Sequence, residues 1–513
     1  HLSLWASHGR YWDAERGWKW QRPNLFCTNE DLFTQTIVVP YLIPMLQNAG
    51  AIVFTPRERD WQQQEIIVDN NDRRSISYIE VDNSKKWKDC DSLGFANAKT
   101  LYSDGENPFT MGTVRQAKAT KKKKKYSLVS YQPKFKEAGK YAVYVSYQTL
   151  PKSVPDAKYI VYHKGQATEF TVNQRMGGGT WVYLGTFDFD KGCNEFNRVV
   201  CTNQASKRGV VTTDAVRFGG GMGNIERGGD VSGLPRCLEG ARYYAQWAGA
   251  PYKVYGGRQG KNDYADDINT RSLMTNWLGG GSVYMPALSG KKVPIELSLA
   301  LHSDAGFNPD GKSTWGALAI CTTDFNDGML NSGVSRFTSK DFAKALRDNL
   351  VEDMSQTFGA FGKRYLWDRN YSETRLPEVP SAILEMLSHQ SFPDMRIAQD
   401  PMGKFTIARS IYKTILRFVS SNHGEDYVAP NHFSVEIDEF GYAELTWSPQ
   451  QDKLEPSAKP TRYIVYKAEG NGGFDNGTLV RSPQHFVKLE PGKLYNFRVA
   501  AVNQGGESFP SET

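Results

Sequence analysis

Ile295-Glu-Leu-Ser-Leu-Ala-Leu-His302 is an apolar run that ends in a histidine, and polar residues follow it immediately. Leu2-Ser-Leu-Trp-Ala-Ser-His-Gly9 repeats this pattern near the beginning of the sequence. Both runs predict buried strands of an α/β sheet. Ligands of such sheets bind at the carboxyl ends of the strands, which is where His8 and His302 would lie.

A helix is predicted to follow the first strand. Thr28 and Asp31 read as a capping box, which places Glu30 in the first helical turn. Apolar residues then recur at a spacing of four, while Pro40 and Pro44 predict a kink or a break. Glu30 therefore stands at a helix N-terminus, where its alternative role is simply to stabilise the helix.

The sequence also contains a candidate general base. Glu385 is the acidic residue of the strand-like run Ser381–Leu387. His8, Glu30 and His302 match the three protein ligands of a catalytic zinc site. Glu385 would then accept a proton from the attacking water. Structural roles remain the alternative, because a lone histidine at a strand end is usually structural and Glu385 could pair with an arginine.

The composition is that of an ordinary globular protein. Hydrophobic residues make up 39% and charged residues 23%, which excludes global disorder. A net charge of +6 over 513 residues is too weak to indicate a nucleic-acid partner. The apolar stretch Thr36–Leu46 is too short to span a bilayer, so no integral membrane segment is expected. Lys121–Lys125 predicts a solvated loop.

The six cysteines include no CxxC pair, which disfavours a zinc finger, and six in 513 residues are too sparse for a disulfide scaffold. Cys193 and Cys201 flank a predicted turn and either pair in an oxidising compartment or remain free thiols. A strand-like run begins at His1 and no signal peptide is visible, which is compatible with a leader having been removed.

Taken together, these segments resemble the zinc-dependent N-acetylmuramoyl-L-alanine amidases. That family has a strand ending in His-Gly and a glutamate that opens a helix, as at His8 and Glu30. Its Ala-Gly-Ala-x-Val and Thr-Arg-x-x-Asp segments are similar to Asn48-Ala-Gly-Ala-Ile-Val-Phe-Thr-Pro-Arg-Glu-Arg-Asp60, with one inserted residue. Its Arg-x4-Asn helix is similar to Arg271-Ser-Leu-Met-Thr-Asn276. Its Ser-x-His-x-Asn-Ala segment is matched by Ser298-Leu-Ala-Leu-His-Ser-Asp-Ala305 around the histidine.

The resemblance implies roles for four of seven candidate side chains. The implied zinc ligands are His8, Glu30 and His302, the implied catalytic residue is Glu385, and the candidate substrate contacts are Arg57, Arg271 and Asp304. Structural ion pairing is the alternative role of the two arginines. The family's Asp-Pro-Gly before the first histidine is Trp5-Ala-Ser7 in this chain.

Two β-rich regions have resemblances of their own. Tyr159-Ile-Val-Tyr-His-Lys-Gly165 and Asp214-Ala-Val-Arg-Phe-Gly-Gly-Gly-Met-Gly223 are among the segments by which residues 87–225 resemble the golvesin C-terminal-like module. This module occurs in proteins labelled xanthan lyases, and carbohydrate binding is proposed for it. Trp181 could stack on a sugar ring there, or it could be a core residue. Residues 427–513 are similar to fibronectin type III domains, with Tyr495 as the residue of the tyrosine corner.

The predicted architecture is therefore an α/β catalytic domain, a mixed sheet flanked by helices, made of residues 1–70 and 226–425. A β-sandwich insertion at 87–225 interrupts it, and a fibronectin type III β-sandwich at 427–513 follows.

The predicted function is zinc-dependent hydrolysis of peptidoglycan at the amide between N-acetylmuramic acid and L-alanine. Such a protein is expected to be secreted, periplasmic or on the surface of a bacterium. The alternatives are a carbohydrate-binding surface protein with an inactive amidase-like domain, and a zinc hydrolase of another amide or peptide bond.

Overall fold

The structure is a computed structural model that describes residues 1–72, 75–423, 433–449, 459–470, 472–503, 506–508, 510, 511 and 513. It consists mostly of β-sheets with a smaller number of helices. The chain divides into two compact units. The first comprises His1–Ala305, Leu318–Lys344 and Tyr365–Gln390, and the second comprises Gly306–Ala317, Ala345–Arg364 and Ser391–Thr513.

The first part of the chain alternates strands and helices. In chain order its elements are β1 (Leu2–Ala6), β2 (Tyr11–Asp13), β3 (Gly17–Lys19), α1 (Glu30–Ile37), a π-helical segment (Val38–Leu42), α2 (Ile43–Asn48) and β4 (Val53–Phe54).

The cap of α1 differs from the predicted one. Asn29 is the last residue before the helix, and its side-chain oxygen accepts the backbone N–H of Leu32 at 2.9 Å. Thr28 is one position too early to do this, and its hydroxyl donates to the Asn29 carbonyl instead. The predicted capping box is therefore wrong. The predicted helix break is confirmed, because the π-helical segment contains Pro40, which has no N–H to donate.

A run of strands follows. These are β5 (Ile66–Asp69), β6 (Tyr78–Val81), β7 (Lys88–Gly94), β8 (Tyr102–Ser103), a 3-10 turn (Pro108–Thr110), β9 (Gly112–Lys118), β10 (Leu128–Tyr131), β11 (Gly139–Val145), β12 (Ala157–His163), β13 (Gln166–Val172), β14 (Val182–Phe189), β15 (Arg198–Thr202), β16 (Val210–Thr213), β17 (Ala215–Phe218), β18 (Ile225–Glu226) and a 3-10 turn (Arg236–Leu238).

β8 and β18 pair with each other in parallel, and the other strands form three antiparallel sheets around a shared apolar core. Their orders are β13-β12-β15-β10-β6, β14-β11-β17-β5 and β16-β9-β7. β5 pairs with β17, and β6 pairs with β10. Both β5 and β6 precede residue 87, so the bounds 87–225 leave out two strands of these sheets.

The structure assigns Trp181 to the core rather than to a sugar-binding surface. Only 4% of Trp181 is exposed, and its ring packs 4.7 Å from that of Phe95 and 5.2 Å from that of Phe109. Neither Cys193 nor Cys201 forms a disulfide, so both are free thiols. Lys121–Lys125 are exposed between β9 and β10, as predicted.

The chain then returns to alternating helices and strands. The elements are α3 (Ala241–Trp247), α4 (Tyr252–Tyr255), α5 (Asp263–Leu278), β19 (Leu297–Asp304), β20 (Ala317–Cys321), α6 (Phe337–Phe358), β21 (Lys363–Asp368), α7 (Ser372–Arg375) and β22 (Ser381–Ser388).

A six-stranded mixed sheet combines β1 and β4, from the beginning of the chain, with β19, β20, β21 and β22. Its order is β21-β20-β22-β19-β1-β4. β1 runs parallel to β19 and β4, β19 runs parallel to β22, and β20 runs antiparallel to β22. β1 and β19 are buried along nearly their whole length, and β22 is buried except at Glu385. Burial on both faces explains why these strands read as continuous apolar runs.

The second unit contains the tail of the chain. Its elements include α8 (Phe392–Gln399), α9 (Pro401–His423), β23 (Ser434–Ile437), β24 (Tyr442–Thr446), β25 (Arg462–Glu469), β26 (Thr478–Val480), β27 (Gln484–Lys488), β28 (Tyr495–Asn503) and β29 (Gly506–Glu507). The strands form two sheets, β23-β24-β27 and β26-β25-β28-β29. The Tyr495 hydroxyl accepts the backbone N–H of Glu490 at 3.2 Å, which is the contact of a tyrosine corner. Among the described residues, no helix combines the length and apolarity needed to cross a membrane.

A buried ion pair fixes the junction between the first part of the chain and β17. The Glu58 carboxylate lies 2.7 Å from the Arg217 guanidinium, and both side chains are fully buried. The guanidinium stacks on Tyr144, 3.8 Å from the ring centre. We predict that Glu58→Gln lowers the free energy of unfolding by about 3 kcal/mol, because it removes the nearer counter-charge of a fully buried guanidinium and leaves only Glu65, at 3.4 Å. Urea denaturation checks this, and an unchanged midpoint would contradict it.

Candidate functional site

Three side chains that are distant in sequence converge at the edge of the six-stranded sheet. His8, Glu30 and His302 each offer a ligand atom, and these atoms all lie within 4.8 Å of one another. All three residues are buried and belong to the first unit. His8 follows β1 by two residues, His302 lies in β19, and Glu30 is the first residue of α1. The parallel pairing of Ala6 with Leu301 brings the two histidines side by side.

The backbone around His8 is tightly constrained. Ser7 has a φ of 46°, in the left-handed region that non-glycine residues rarely adopt. Gly9 packs against the backbone of Glu239, and a Cβ at this position would stand 2.3 Å from the Glu239 carbonyl oxygen. Glycine is thus required sterically at position 9, directly after His8, which lies close to Glu30 and His302.

Glu30 and His302 form a buried ion pair. Glu30 Oε1 accepts hydrogen bonds from His302 Nδ1 at 2.8 Å and from Ser7 Oγ at 2.6 Å. Burial opposes the charge of His302, but Glu373 and the hydrogen bond to Glu30 raise its pKa to about 10. Burial likewise opposes the charge of Glu30, yet the hydrogen bond from His302 lowers the pKa of this carboxyl. The imidazole is therefore held as a cation between carboxylates.

His8 has the opposite electrostatic character. Arg271 Nη2 donates to His8 Nδ1 at 2.8 Å, and His8 Nε2 lies 3.7 Å from Glu30 Oε1. Burial first, and then the positive charge of Arg271, holds the pKa of His8 well below its usual range. Because arginine only donates, a neutral His8 carries its proton on Nε2. Binding a cation through Nε2 would require this proton to leave and the Arg271 contact to change.

Glu385 lies directly beside His302 on the neighbouring strand. The two residues are register partners in the β19–β22 pair. Burial raises the pKa of Glu385 to about 8, His302 opposes this shift, and Glu30 and Asp304 add to it. Its Oε2 atom is buried and has no hydrogen-bond partner among the described residues. A protonatable carboxyl with a free oxygen therefore borders the cluster.

The candidate substrate contacts have other partners in the structure. Arg57 is buried, and its guanidinium donates to the carbonyls of Ala6, Cys237 and Glu239. Arg271 is also buried and contacts Asp267, Glu373 and His8. Arg271 thus forms the ion pairs that the sequence left open as the alternative, whereas the Arg57 guanidinium is held by backbone carbonyls. Asp304 ends β19, where its carboxylate accepts the N–H of Ala305 and its negative charge raises the pKa of Glu385.

Sequence reasoning missed three side chains that contact the cluster. Ser7 donates to Glu30, as described above. Arg22 Nε lies 3.4 Å from Glu30 Oε2, and 39% of the Arg22 side chain is exposed. Glu373 Oε2 lies 3.1 Å from His302 Nε2. Ser7 lies inside the first histidine motif, whereas Arg22 and Glu373 lie in segments without a periodic pattern, so no sequence signal marked them.

The three converging residues fit a zinc ion in type and spacing. Two imidazoles and one carboxylate are a known ligand set for catalytic zinc. Zinc binds only deprotonated ligands, so its binding here would release the proton now on His302 Nδ1. In the part of the chain that the structure describes, this is the one cluster of three such side chains.

The raised pKa of Glu385 leads to a test on protein stripped of metal with a chelator. When folding raises the pKa of an acid, the acid stabilises the folded protein fully at pH values below its pKa in the unfolded chain. This stabilisation is lost as the pH rises through its pKa in the folded protein. Relative to Glu385→Gln, we therefore predict that the wild type loses stability between pH 4.5 and pH 8. Thermal unfolding at several pH values measures this, and parallel profiles of the two proteins would contradict it.

Family models match the two β-rich regions. The Golvesin C-terminal domain matches residues 98–220, and the Fibronectin type III domain matches residues 428–513. Both matches confirm the identities predicted for these regions. Among curated proteins, the xanthan lyase of Bacillus sp. (strain GL1) is 34% identical over 92 residues, which are 18% of this chain and 10% of the lyase. The chain thus spans about a tenth of that relative's length.

Solved structures similar to this chain include amidases and a lyase. The N-acetylmuramyl-L-alanine amidase Ami1 of Mycobacterium smegmatis has 20% identity and a TM-score of 0.23, covering 34% of this chain and 79% of its own. The N-acetylmuramoyl-L-alanine amidase of Clostridium difficile 630 has 14% identity and a TM-score of 0.20, covering 25% and 59%. Paenibacillus xanthan lyase has 23% identity and a TM-score of 0.23, covering 30% and 13%. At such TM-scores these likenesses decide neither the fold nor the activity of this chain.

Proposed function

We propose that this chain is a zinc-dependent hydrolase of peptidoglycan that cleaves the amide between N-acetylmuramic acid and L-alanine. The observation that carries the proposal is the convergence of His8, Glu30 and His302 within 4.8 Å, beside Glu385. The segments that contribute these residues are the ones that resemble the amidase family. The proposed substrate places the protein in the envelope or the surroundings of a bacterial cell.

His8, Glu30 and His302 would hold the ion. When bound, zinc supplies Lewis-acid polarisation of the amide carbonyl and acidifies water for attack. Burial of all three ligands keeps bulk water away from the site and strengthens every charge interaction in it. The residues themselves thus provide the binding site and its low-dielectric surroundings.

Glu385 would act as the general base and then as the general acid. Its free Oε2 would accept a proton from the attacking water and deliver it to the nitrogen of the leaving L-alanine. Burial raises the pKa of Glu385 to about 8, while each positive charge placed near it favours its ionised form. A carboxyl poised in this way can both accept and return a proton near neutral pH.

The proposal predicts separate effects for the base and for a ligand. Glu385→Gln should lower the rate of peptide release from purified peptidoglycan by about 10²–10⁴-fold, with zinc content unchanged. His302→Ala should lose both zinc and activity, because only two ligands remain. Mass spectrometry of released products and elemental analysis of the protein measure these effects.

Glu195→Gln is the matched control, because Glu195 is an exposed glutamate in the inserted module. This variant should behave as the wild type. A zinc-loaded wild type that releases no peptide beginning with L-alanine would overturn the amidase assignment. Release of a different product would mean that the enzyme cleaves another amide of the cell envelope.

A further inference from the structure

A second carboxylate approaches His302 from the side opposite Glu30. Glu373, on α7, is buried, and its Oε2 lies 3.1 Å from His302 Nε2. Glu30 Oε1 accepts from Nδ1 of the same ring at 2.8 Å. The contact at Nδ1 is an aligned hydrogen bond, whereas the contact at Nε2 is an ion contact without that alignment. The two nitrogens of His302 thus have separate carboxylate neighbours.

The other oxygen of Glu373 is fixed by two donors. Trp5 Nε1 donates to Glu373 Oε1 at 2.7 Å, and Arg271 Nη1 donates to the same atom at 3.0 Å. These donors come from β1 and α5, which hold the carboxylate from two directions. Because Oε1 is occupied, Oε2 is the atom left to face His302. The carboxylate is therefore preset in one orientation before any ligand binds.

Balancing the charge of Arg271 does not by itself account for this arrangement. Asp267 already lies 2.5 Å from Arg271 Nη2, one helical turn before it on α5. The same guanidinium nitrogen also donates to His8 Nδ1. Arg271 and Glu373 together form a buried chain from one imidazole of the cluster to the other. These contacts constrain the imidazoles of both His8 and His302. Neutralising the charge of Arg271 would not require contacts to either ring.

We propose that Glu373 is a positioning residue that fixes the proton of His302 on Nε2, so that the Nδ1 lone pair is available to the zinc ion. This inference rests on the proposed function. Histidines that bind metals usually donate their other ring N–H to a carboxylate, carbonyl or water, which fixes the tautomer and raises ligand basicity. Glu373 Oε2 lies within hydrogen-bond distance of Nε2, at 3.1 Å.

Glu373→Gln tests the role of the charge with little change in shape. The amide oxygen of Gln would still accept from Trp5 and Arg271, and its NH2 group would then face His302 Nε2. A donor at this position favours the tautomer in which Nε2 is deprotonated. The ring proton is then on Nδ1, the atom that should bind the ion. We expect zinc affinity to fall about 10–100-fold, measured by competition with a chromophoric chelator.

NMR of protein with 15N-labelled histidine gives a readout that does not depend on metal or on activity. In the metal-free wild type, Nε2 of His302 should carry a proton, and in Glu373→Gln it should not. If the wild type takes up no zinc but shows this difference, the proposed function fails, whereas the control of the His302 proton by Glu373 stands. If the variant keeps the wild-type zinc affinity and the wild-type proton position, the positioning role is overturned.

Two further variants separate this role from a general loss of stability. Glu58→Gln removes the charge of another buried glutamate that pairs with an arginine, so it should lower stability and leave zinc affinity unchanged. Trp5→Phe removes one of the two donors to Oε1 and keeps the Glu373 charge, so it should weaken zinc binding less than Glu373→Gln does. If Glu373→Gln does not fold, an unaltered zinc affinity in Trp5→Phe counts against the proposal.

Discussion

The parallel pairing of β1 with β19 and of β19 with β22 is the constraint on which the site depends. Ala6 pairs with Leu301, and His302 pairs with Glu385, so three strands that are distant in sequence end at one edge. The carboxyl ends of parallel strands are where α/β sheets bind ligands. α1 then adds Glu30 to that edge. If either strand pair shifted by one residue, one of these side chains would point to the other face of the sheet.

The site is a buried network of charges rather than a set of independent side chains. Two carboxylates favour the charged form of His302, whereas Arg271 disfavours the charged form of His8. Adjacent imidazoles thus have pKa values shifted in opposite directions. Burial of unpaired charges is costly, so each charged group in this network needs its partner. The same network leaves Glu385 as an acid with a raised pKa beside the cluster.

Much of the sheet could be predicted because its strands are buried on both faces. Apolar runs of this kind, each with a histidine near its end, directly indicated β1 and β19. Pro40 likewise indicated the break after α1. The cap of α1 was misread because Thr28 and Asn29 are both good cap residues, and only the backbone decides between them. The bounds of the inserted sheets were missed because β5 and β6 are short and separated from their partners by long stretches of sequence.

Glu373 shows most clearly where sequence reasoning ends. It lies on the four-residue helix α7, which is too short for a periodic pattern, and its partners Trp5, Arg271 and His302 come from three other elements. Only the folded chain brings these partners together. Arg57 and Arg271 illustrate the converse, because their sequence segments suggested substrate contacts, and the structure adds that both guanidiniums are buried and hydrogen-bonded within the fold.

X-ray diffraction from zinc-soaked crystals, recorded on both sides of the zinc absorption edge, shows whether His8, Glu30 and His302 bind one zinc ion. We expect one strong anomalous peak about 2.0–2.2 Å from nitrogen atoms of His8 and His302 and from an oxygen of Glu30. A peak bound elsewhere, or no peak between the two imidazoles at saturating zinc, would contradict this expectation.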